Sequence, residues 1–158
     1  RQQDDARVEY FDEYQGRIYM MRAVALQGLK QPKEAAKAYQ EFLKTDYSKT
    51  GAGRINANDY LIAAHRYNDA ADNYRNLDNL LNQTGIELSL DNIQLYLLPK
   101  FRANLEAGRR DSAYNIAANI LGLLDSAIIA QKNSSTAELA TIYDTQGKER
   151  QIAEQEMR

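Results

Sequence analysis

The residue types that most often carry out catalysis are scarce in this chain. His65 is the single histidine, and cysteine is absent from all 158 residues, which excludes disulfides, thiolate ligands and cysteine nucleophiles. A lone histidine could act as a general base, but His65 falls in a short polar turn, where a surface residue is the simpler interpretation. A zinc site would need several such ligands. The sequence therefore predicts no catalytic residue, no metal site and no cofactor.

Two short patterns could hold phosphate or a cation. The glycine-rich stretch 51–53 precedes a predicted helix, but it lacks the preceding strand and the lysine that phosphate-binding loops need. We interpret it as a flexible loop. Asp69 and Asp72 lie one helical turn apart, a spacing that is common on solvated helix faces. Neither pattern predicts a site.

Composition sets the class of the protein. The charges are mixed in sign, with a formal net charge of −2, so there is no basic surface typical of nucleic-acid binding. The longest apolar runs are shorter than the ~20 residues that a membrane helix needs. The chain begins with Arg1 rather than Met, and we expect it to be a processed or excised piece of a longer protein. Abundant helix formers and the lack of alternating strand patterns predict an all-α domain.

Apolar periodicity and breakers predict about seven helices. Residues 48–53 are expected to form a loop, Pro99 should kink a helix, and residues 133–135 should break one. Ser135 and Glu138 match a capping box, S-x-x-E, which would start the last helix. The predicted helices cover about residues 4–29, 32–46, 54–64, 68–82, 91–108, 111–131 and 135–158.

Three alanines open the second helix of successive pairs. Ala35, Ala70 and Ala113 are 35 and 43 residues apart, and Tyr39 and Tyr74 follow the first two by one helical turn. A small residue there lets paired helices approach, and an aromatic ring fills the space beside it. This pattern resembles the tetratricopeptide repeat, with its period near 34 residues.

The resemblance implies one domain of antiparallel helix hairpins, stacked as a short right-handed solenoid. Its repeats would cover residues 14–49, 50–84 and, in degenerate form, 88–131, followed by a C-terminal helix over 135–158. In such repeats the first helices line a concave groove that binds a protein or peptide segment. An unknown small ligand is an alternative, and so is packing of these residues against the final helix or a partner copy. The groove residues implied are Arg17, Met20, Val24, Gln27, Ile55, Asp59, Ile62, Leu98 and Arg102.

The last segment, ELATIYDTQGKERQIAEQE, begins as an amphipathic helix and then loses its apolar face. Leu139, Ile142 and Tyr143 are expected to cover the end of the repeat stack. The segment resembles the one that closes the extracytoplasmic repeat region of membrane-bound sensors in Bacteroidetes-type bacteria, just before a transmembrane helix. The output module of such sensors is usually a histidine kinase and sometimes an AraC-type or LuxR-type DNA-binding domain. Gly147 departs from the glutamate that is usual there.

These patterns lead to one main hypothesis and two alternatives. The first is a periplasmic, non-enzymatic sensor domain of a two-component histidine kinase, which passes a signal through its C-terminal helix to a membrane span outside this chain. The C-terminal helix could also pair with a copy of itself in a homodimer. One alternative is a soluble, cytoplasmic adaptor of the tetratricopeptide type that binds a peptide segment of a partner protein. The other is an all-α enzyme.

Overall fold

A computed structural model describes residues 1–157, and they contain helices without any β-strand, at 87% helix. The all-α prediction is confirmed. The chain divides into two compact units, Arg1–Ile116 and the remainder from Ala117 onward. The described residues form six α-helices: α1 Gln2–Gly28, α2 Pro32–Leu43, α3 Gly51–Ala63, α4 Tyr67–Thr84, α5 Leu98–Glu106 and α6 Arg110–Glu156.

Three helix pairs are joined by the same three-residue turn. The middle residue of each turn has a left-handed backbone. These residues are Lys30, His65 and Gly108, with φ of 61°, 56° and 76° respectively. The next residue donates its N–H to a carbonyl five residues earlier, over 2.8–2.9 Å in all three turns. The three connections therefore repeat both in sequence spacing and in geometry.

Each of the three aligned alanines is buried in the second helix of its pair. Ala35, Ala70 and Ala113 lie five residues after the left-handed residue of the turn, and almost none of their surface is accessible. The aromatic residues that follow are buried too: the Tyr39 ring stacks on Tyr60 with centroids 4.6 Å apart. The three alanines are therefore buried, as close packing of helices at small residues requires.

The predicted loop over 48–53 is shorter than expected, because α3 begins at Gly51. A 3₁₀ turn covers Tyr47–Lys49, and the Thr50 hydroxyl caps α3 by accepting the Gly53 N–H at 3.0 Å. A Cβ at Gly53 would fall on the Tyr47 carbonyl. This glycine therefore allows the close approach of two backbone segments and does not serve as a flexible hinge.

Pro99 does not kink one long helix, as the sequence analysis expected. The segment starts with a 3₁₀ turn over Leu90–Asn92, continues as a π-helix over Ile93–Leu97 and becomes α5 at Leu98. Proline has no N–H to offer the carbonyl four residues earlier, and its ring crowds that carbonyl. The wider π turn just before Pro99 accommodates both effects.

The predicted break at residues 133–135 is wrong, and α6 runs without interruption from Arg110 to Glu156. Six α-helices are therefore found where about seven were expected, and the capping box at Ser135 does not form. Asn and Ser each destabilise a helix by only about 0.5–0.7 kcal/mol relative to Ala. Neighbouring residues that favour a helix offset this cost. The Thr136 hydroxyl also donates to the Lys132 carbonyl at 2.9 Å within the helix.

The core of the unit Arg1–Ile116 lies where successive helices meet. Helix α1 packs on α2 and α3, α3 packs on α4, and α4 packs on α5. The largest fully buried side chains are Phe42, Met20, Leu77 and Leu97. This packing places parts of α1, α3 and α5 side by side around the two depressions described next.

Candidate functional site in the groove along helix α3

The first depression lies between α1 and α3. It has a volume of about 360 Å³ and is lined mainly by apolar side chains of α1. Met20, which is buried, and Val24 form part of its wall. Asn56 and Asp59 supply the polar groups of α3. The depression can therefore accept an apolar group with a polar neighbour.

The second depression adjoins the first along α3 and lies against the π-helical turn and α5. Its volume is about 270 Å³. Aliphatic side chains and proline form much of the lining, and two tyrosines with an asparagine add polar groups. The lining residues are Ile55, Asn58, Asp59, Ile62, Tyr74, Leu95, Tyr96, Pro99 and Arg102.

Asp59 is common to both depressions and is the one acidic side chain that lines either of them. Within residues 1–157 its carboxylate accepts no hydrogen bond and forms no ion pair. Asp59 is an exposed residue, yet partial burial of its carboxylate raises its pKa, because some water is removed from the charged form. This carboxylate also raises the pKa of Tyr74, although burial of the phenol is the larger cause.

Arg102 is the positive group of the second depression. Its guanidinium takes part in no ion pair within the described part of the chain. The two depressions are thus lined by one acidic and one basic side chain, and both are exposed. The remaining lining residues are uncharged.

Asn58 lies beneath the second depression and is only 2% exposed. Its Oδ1 accepts a 2.7 Å hydrogen bond from Asn73, which also donates to the Arg54 carbonyl at 2.6 Å. The Asn58 Nδ2 makes no hydrogen bond within residues 1–157, although Asn58 partly offsets the rise in the pKa of Tyr74. Because Nδ2 is closed to solvent, we assign Asn58 to fixing α3 against α4.

The structure brings together six of the nine groove residues expected from the sequence. Arg17 lies elsewhere: it pairs with Glu13 at 2.8 Å and covers the Tyr47 ring at 5.2 Å from its centroid. Gln27 and Leu98 line neither depression. The six residues in the groove are Met20, Val24, Ile55, Asp59, Ile62 and Arg102.

Several lining residues were missed by sequence reasoning. Met21, Ala25 and Asn56 sit next to predicted positions, and a wider helical stripe would have included them. Leu95 and Tyr96 reach the second depression through the π turn, which shifts the phase of side chains relative to an α-helix. No signal in the sequence marks that turn except the nearby proline.

Other polar clusters in the described residues have structural partners. The Asp12 carboxylate accepts the backbone N–H groups of Asp46 at 3.2 Å and Tyr47 at 2.7 Å, which holds α1 against the 3₁₀ turn. No group of three or more potential metal ligands occurs within residues 1–157. His65 is exposed in its turn and stacks on Tyr67 with centroids 5.4 Å apart, which agrees with the surface-turn interpretation.

The three apolar residues of the C-terminal segment are not covered. Leu139, Ile142 and Tyr143 are 66%, 53% and 78% exposed in α6. The expectation that they cover the end of a repeat stack relied on a break at residues 133–135, and α6 has none there.

Within the described residues, helix α6 is long and apolar enough to cross a membrane, judged by length and composition only. An 18-residue window in it has a mean hydropathy of 1.4, and 17% of that window is buried. Core helices and signal sequences pass the same test. Composition alone therefore does not place α6 in a membrane.

Comparisons with protein-family models, curated proteins and solved structures found no match. The class of protein and its function must therefore be inferred from the residues and the geometry described above.

Proposed function

We propose that this chain is the ligand-binding, extracytoplasmic sensor domain of a membrane signalling protein, a two-component histidine kinase. In this proposal, tetratricopeptide-like helix pairs bind a ligand in the groove along α3, and α6 carries the signal towards the membrane. The chain itself does no chemistry. The output module belongs to another part of the protein.

The repeated turns support the tetratricopeptide-like part of the proposal. The same left-handed position and the same hydrogen-bond pattern recur at Lys30, His65 and Gly108. The first spacing, 35 residues, is close to the family period of about 34. The second, 43 residues, is longer because it contains the 3₁₀ and π turns that precede α5. A repeated helix pair that cannot bury its apolar side alone gains stability by stacking on the next.

The observation that carries the sensor proposal is the continuity of α6 through residues 133–135. The C-terminal segment that resembles the junction of membrane-bound sensors lies in the same helix as Arg110. Residues 117–156 alone would extend about 60 Å at 1.5 Å per residue. An uninterrupted helix can pass a shift or a rotation along its length, whereas a break would absorb it.

The start of α6 is fixed to elements near the groove. Arg109 forms a 2.8 Å ion pair with Asp72 of α4, and the turn over 107–109 joins α6 to α5. Arg102 lines the second depression and lies in α5, five residues before Ala107, where the connection to α6 begins. If α5 has two positions and a ligand binds one of them more tightly, the ligand increases the population of that position. The start of α6, which is joined to α5, moves with it.

The first test is to sequence the gene beyond the codon for Arg158. A run of about 20 apolar residues followed by a kinase module is the expected result. A stop codon or a long polar continuation would overturn the membrane part of the proposal.

A second test breaks α6 in the full-length protein. Ser134→Pro should abolish the signalling response while ligand binding persists, because proline in a helix interior costs about 3 kcal/mol and interrupts the helix. Ser134→Ala is the matched control and should leave the response intact. A normal response from the proline variant would show that α6 does not transmit the signal.

The second candidate is an adaptor of the tetratricopeptide type that binds a peptide segment of a partner. The two exposed depressions with isolated charges favour it, since they offer contacts for a chain segment without any membrane connection. The same gene sequence distinguishes the two candidates. A stop codon soon after Arg158 would favour the adaptor.

A further inference from the structure

A cavity separate from the groove lies among α4, α5 and the start of α6. Its volume is about 220 Å³, and it shares no lining residue with either depression along α3. All of its lining residues belong to the unit Arg1–Ile116. Only Ala71 and Ile116 in this lining are apolar, and the other seven residues are polar or charged. The cavity therefore suits a polar ligand, in contrast to the largely apolar groove.

Three basic side chains from three successive elements line this cavity. They are Arg75 of α4, Lys100 of α5 and Arg109 of the turn before α6. Asp78 is the one acidic residue among the described lining residues, and both of its oxygens are occupied. One lies 2.7 Å from the Lys100 ammonium, and the other accepts the Tyr96 hydroxyl at 2.7 Å. The lining therefore has an excess of positive charge.

Most hydrogen-bond donors of these three cations are unused. Arg75 forms no hydrogen bond and no ion pair within residues 1–157. Arg109 uses one nitrogen, Nη2, which pairs with Asp72 at 2.8 Å and also donates to the Asn68 carbonyl at 3.4 Å. A guanidinium has five N–H groups and an ammonium has three. A ligand in this cavity must therefore supply acceptor atoms, and a negative charge on it would balance the lining.

We propose that this cavity binds the phosphate group of a small molecule through Arg75, Lys100 and Arg109. Charge-assisted hydrogen bonds from arginine and lysine to phosphate are among the strong ones in proteins. The site is additional to the groove, and the inference depends neither on a ligand there nor on a membrane connection.

The cations and the size of the cavity favour a phosphate over a carboxylate. The three basic groups come from different elements, and the Ser112 residue of α6 also lines the cavity. A tetrahedral phosphate presents oxygens in several directions, whereas a carboxylate presents two in one plane. A volume of about 220 Å³ equals about seven water molecules at about 30 Å³ each. This is enough for a phosphate with a short organic group.

Asn104 distinguishes phosphate from other anions. It lines the cavity and is only 5% exposed, and its Nδ2 donates to the Lys100 carbonyl at 2.8 Å. Its Oδ1 accepts no hydrogen bond within residues 1–157, yet it is not one of the side-chain atoms there that are closed to solvent. This oxygen is therefore open to a donor from the ligand. A buried acceptor of this kind needs a donor. Near pH 6 a phosphate monoester keeps its second proton in about half of the molecules, whereas sulfate and carboxylates have no proton to donate.

Isothermal titration calorimetry of the full chain at pH 6, in a buffer without phosphate or sulfate, tests the inference. The probes are glycerol 3-phosphate, inorganic phosphate, sulfate and acetate. Saturable binding of both phosphates is expected, about tenfold tighter than that of sulfate or acetate. Sulfate carries the greater negative charge at this pH, so a preference for phosphate would come from its proton and not from charge.

Arg75→Gln should weaken binding of glycerol 3-phosphate about tenfold, and Arg75→Lys should restore part of the affinity. Because Arg75 is exposed and has no partner in the described chain, the fold does not depend on its charge. The matched control Arg7→Gln removes the same charge from an exposed position of α1 and should leave the affinity unchanged. Circular dichroism of each variant shows that the helices are intact.

Three results would overturn the inference. They are no saturable binding of either phosphate at millimolar concentrations, sulfate or acetate binding as tightly as phosphate, and an Arg75→Gln variant that binds like the wild type. The second result would assign the cavity to anions in general. None of them affects the sensor proposal, which the gene sequence and the Ser134→Pro response test separately.

Discussion

The Tyr96 hydroxyl donates a 2.7 Å hydrogen bond to Oδ1 of Asp78 and so fastens the π-helical turn to α4. The other oxygen of the same carboxylate lies 2.7 Å from the Lys100 ammonium at the start of α5. Burial and the hydrogen bond to Asp78 both raise the pKa of Tyr96, so the phenol stays protonated and donates. One carboxylate thus holds two residues beside the second depression, and Tyr96 is part of its wall.

Tyr96→Phe should lower the free energy of unfolding by about 1–3 kcal/mol, because a partly buried hydrogen bond to a charged group is lost. Urea denaturation monitored by circular dichroism measures the change. Tyr114→Phe is the matched control, since Tyr114 is 74% exposed, and it should have almost no effect. Equal stability of the two variants would mean that the Tyr96–Asp78 bond contributes nothing.

Gly53→Ala should be strongly destabilising, at the upper end of the roughly 1–3 kcal/mol that overpacking costs. The added methyl group would meet the Tyr47 carbonyl, a backbone atom that cannot rotate away. Gly147→Ala makes the same chemical change where no atom lies within 4 Å, and it should stabilise α6 by about 1 kcal/mol. Thermal melts of the two variants should move in opposite directions; a shift in the same direction would contradict the described approach of α3 to Tyr47.

Gly108→Ala tests the left-handed turn between α5 and α6. The site is open, so the cost comes from its φ of 76°, which a side chain rarely adopts, and should be about 1–2 kcal/mol. Gly122→Ala, in the interior of α6 and also without near neighbours, should instead stabilise by up to about 1 kcal/mol. Chemical denaturation distinguishes the two, and a neutral Gly108→Ala would show that this turn accepts a side chain as readily as the turns at Lys30 and His65 do.

Asp59→Asn should raise stability at neutral pH, and this gain should vanish in acid. The folded state raises the pKa of Asp59 above its ordinary value of 3.8, so between these two values the folded chain binds more protons than the unfolded one. Stability due to this group therefore falls as pH rises through that window.

Well below pH 3.8 the carboxyl is protonated in both states and resembles the amide, so wild type and variant should differ little. Arg102 and Tyr74, which line the same depression, are unchanged in the variant. Melting temperatures measured from pH 3 to pH 8 give the comparison. A variant less stable than wild type at neutral pH would show that Asp59 has a partner in the folded protein.

Much of the architecture could be predicted from local patterns. The alanines at 35, 70 and 113 are buried as expected, because small residues at one helical position allow neighbouring helices to touch. Pro32 begins α2 at the position where its missing N–H has no cost. These features depend on residues close in sequence, which is why periodicity identified them.

The predictions that were wrong concern residues whose own conformational preference is weak or misleading. The stretch 133–135 combines residues of modest helix propensity without glycine or proline, and a difference of some tenths of a kcal/mol per residue does not decide whether a helix ends. Gly53 was taken for a flexible position, yet its lack of a side chain is needed for contact with a backbone carbonyl.

For the site, the sequence alone determined that α3 would present Ile55, Asp59 and Ile62 on one face, because that spacing follows from 3.6 residues per turn. Only the tertiary structure decided that Asp59 would have no partner, whereas Asp78 would hold both Tyr96 and Lys100. Both residues are single aspartates on amphipathic helices, and nothing in their neighbours along the chain separates them. The difference arises because packing of helices distant in sequence brings a hydroxyl and an ammonium within hydrogen-bond distance of the Asp78 carboxylate, whereas no donor reaches that of Asp59 within residues 1–157.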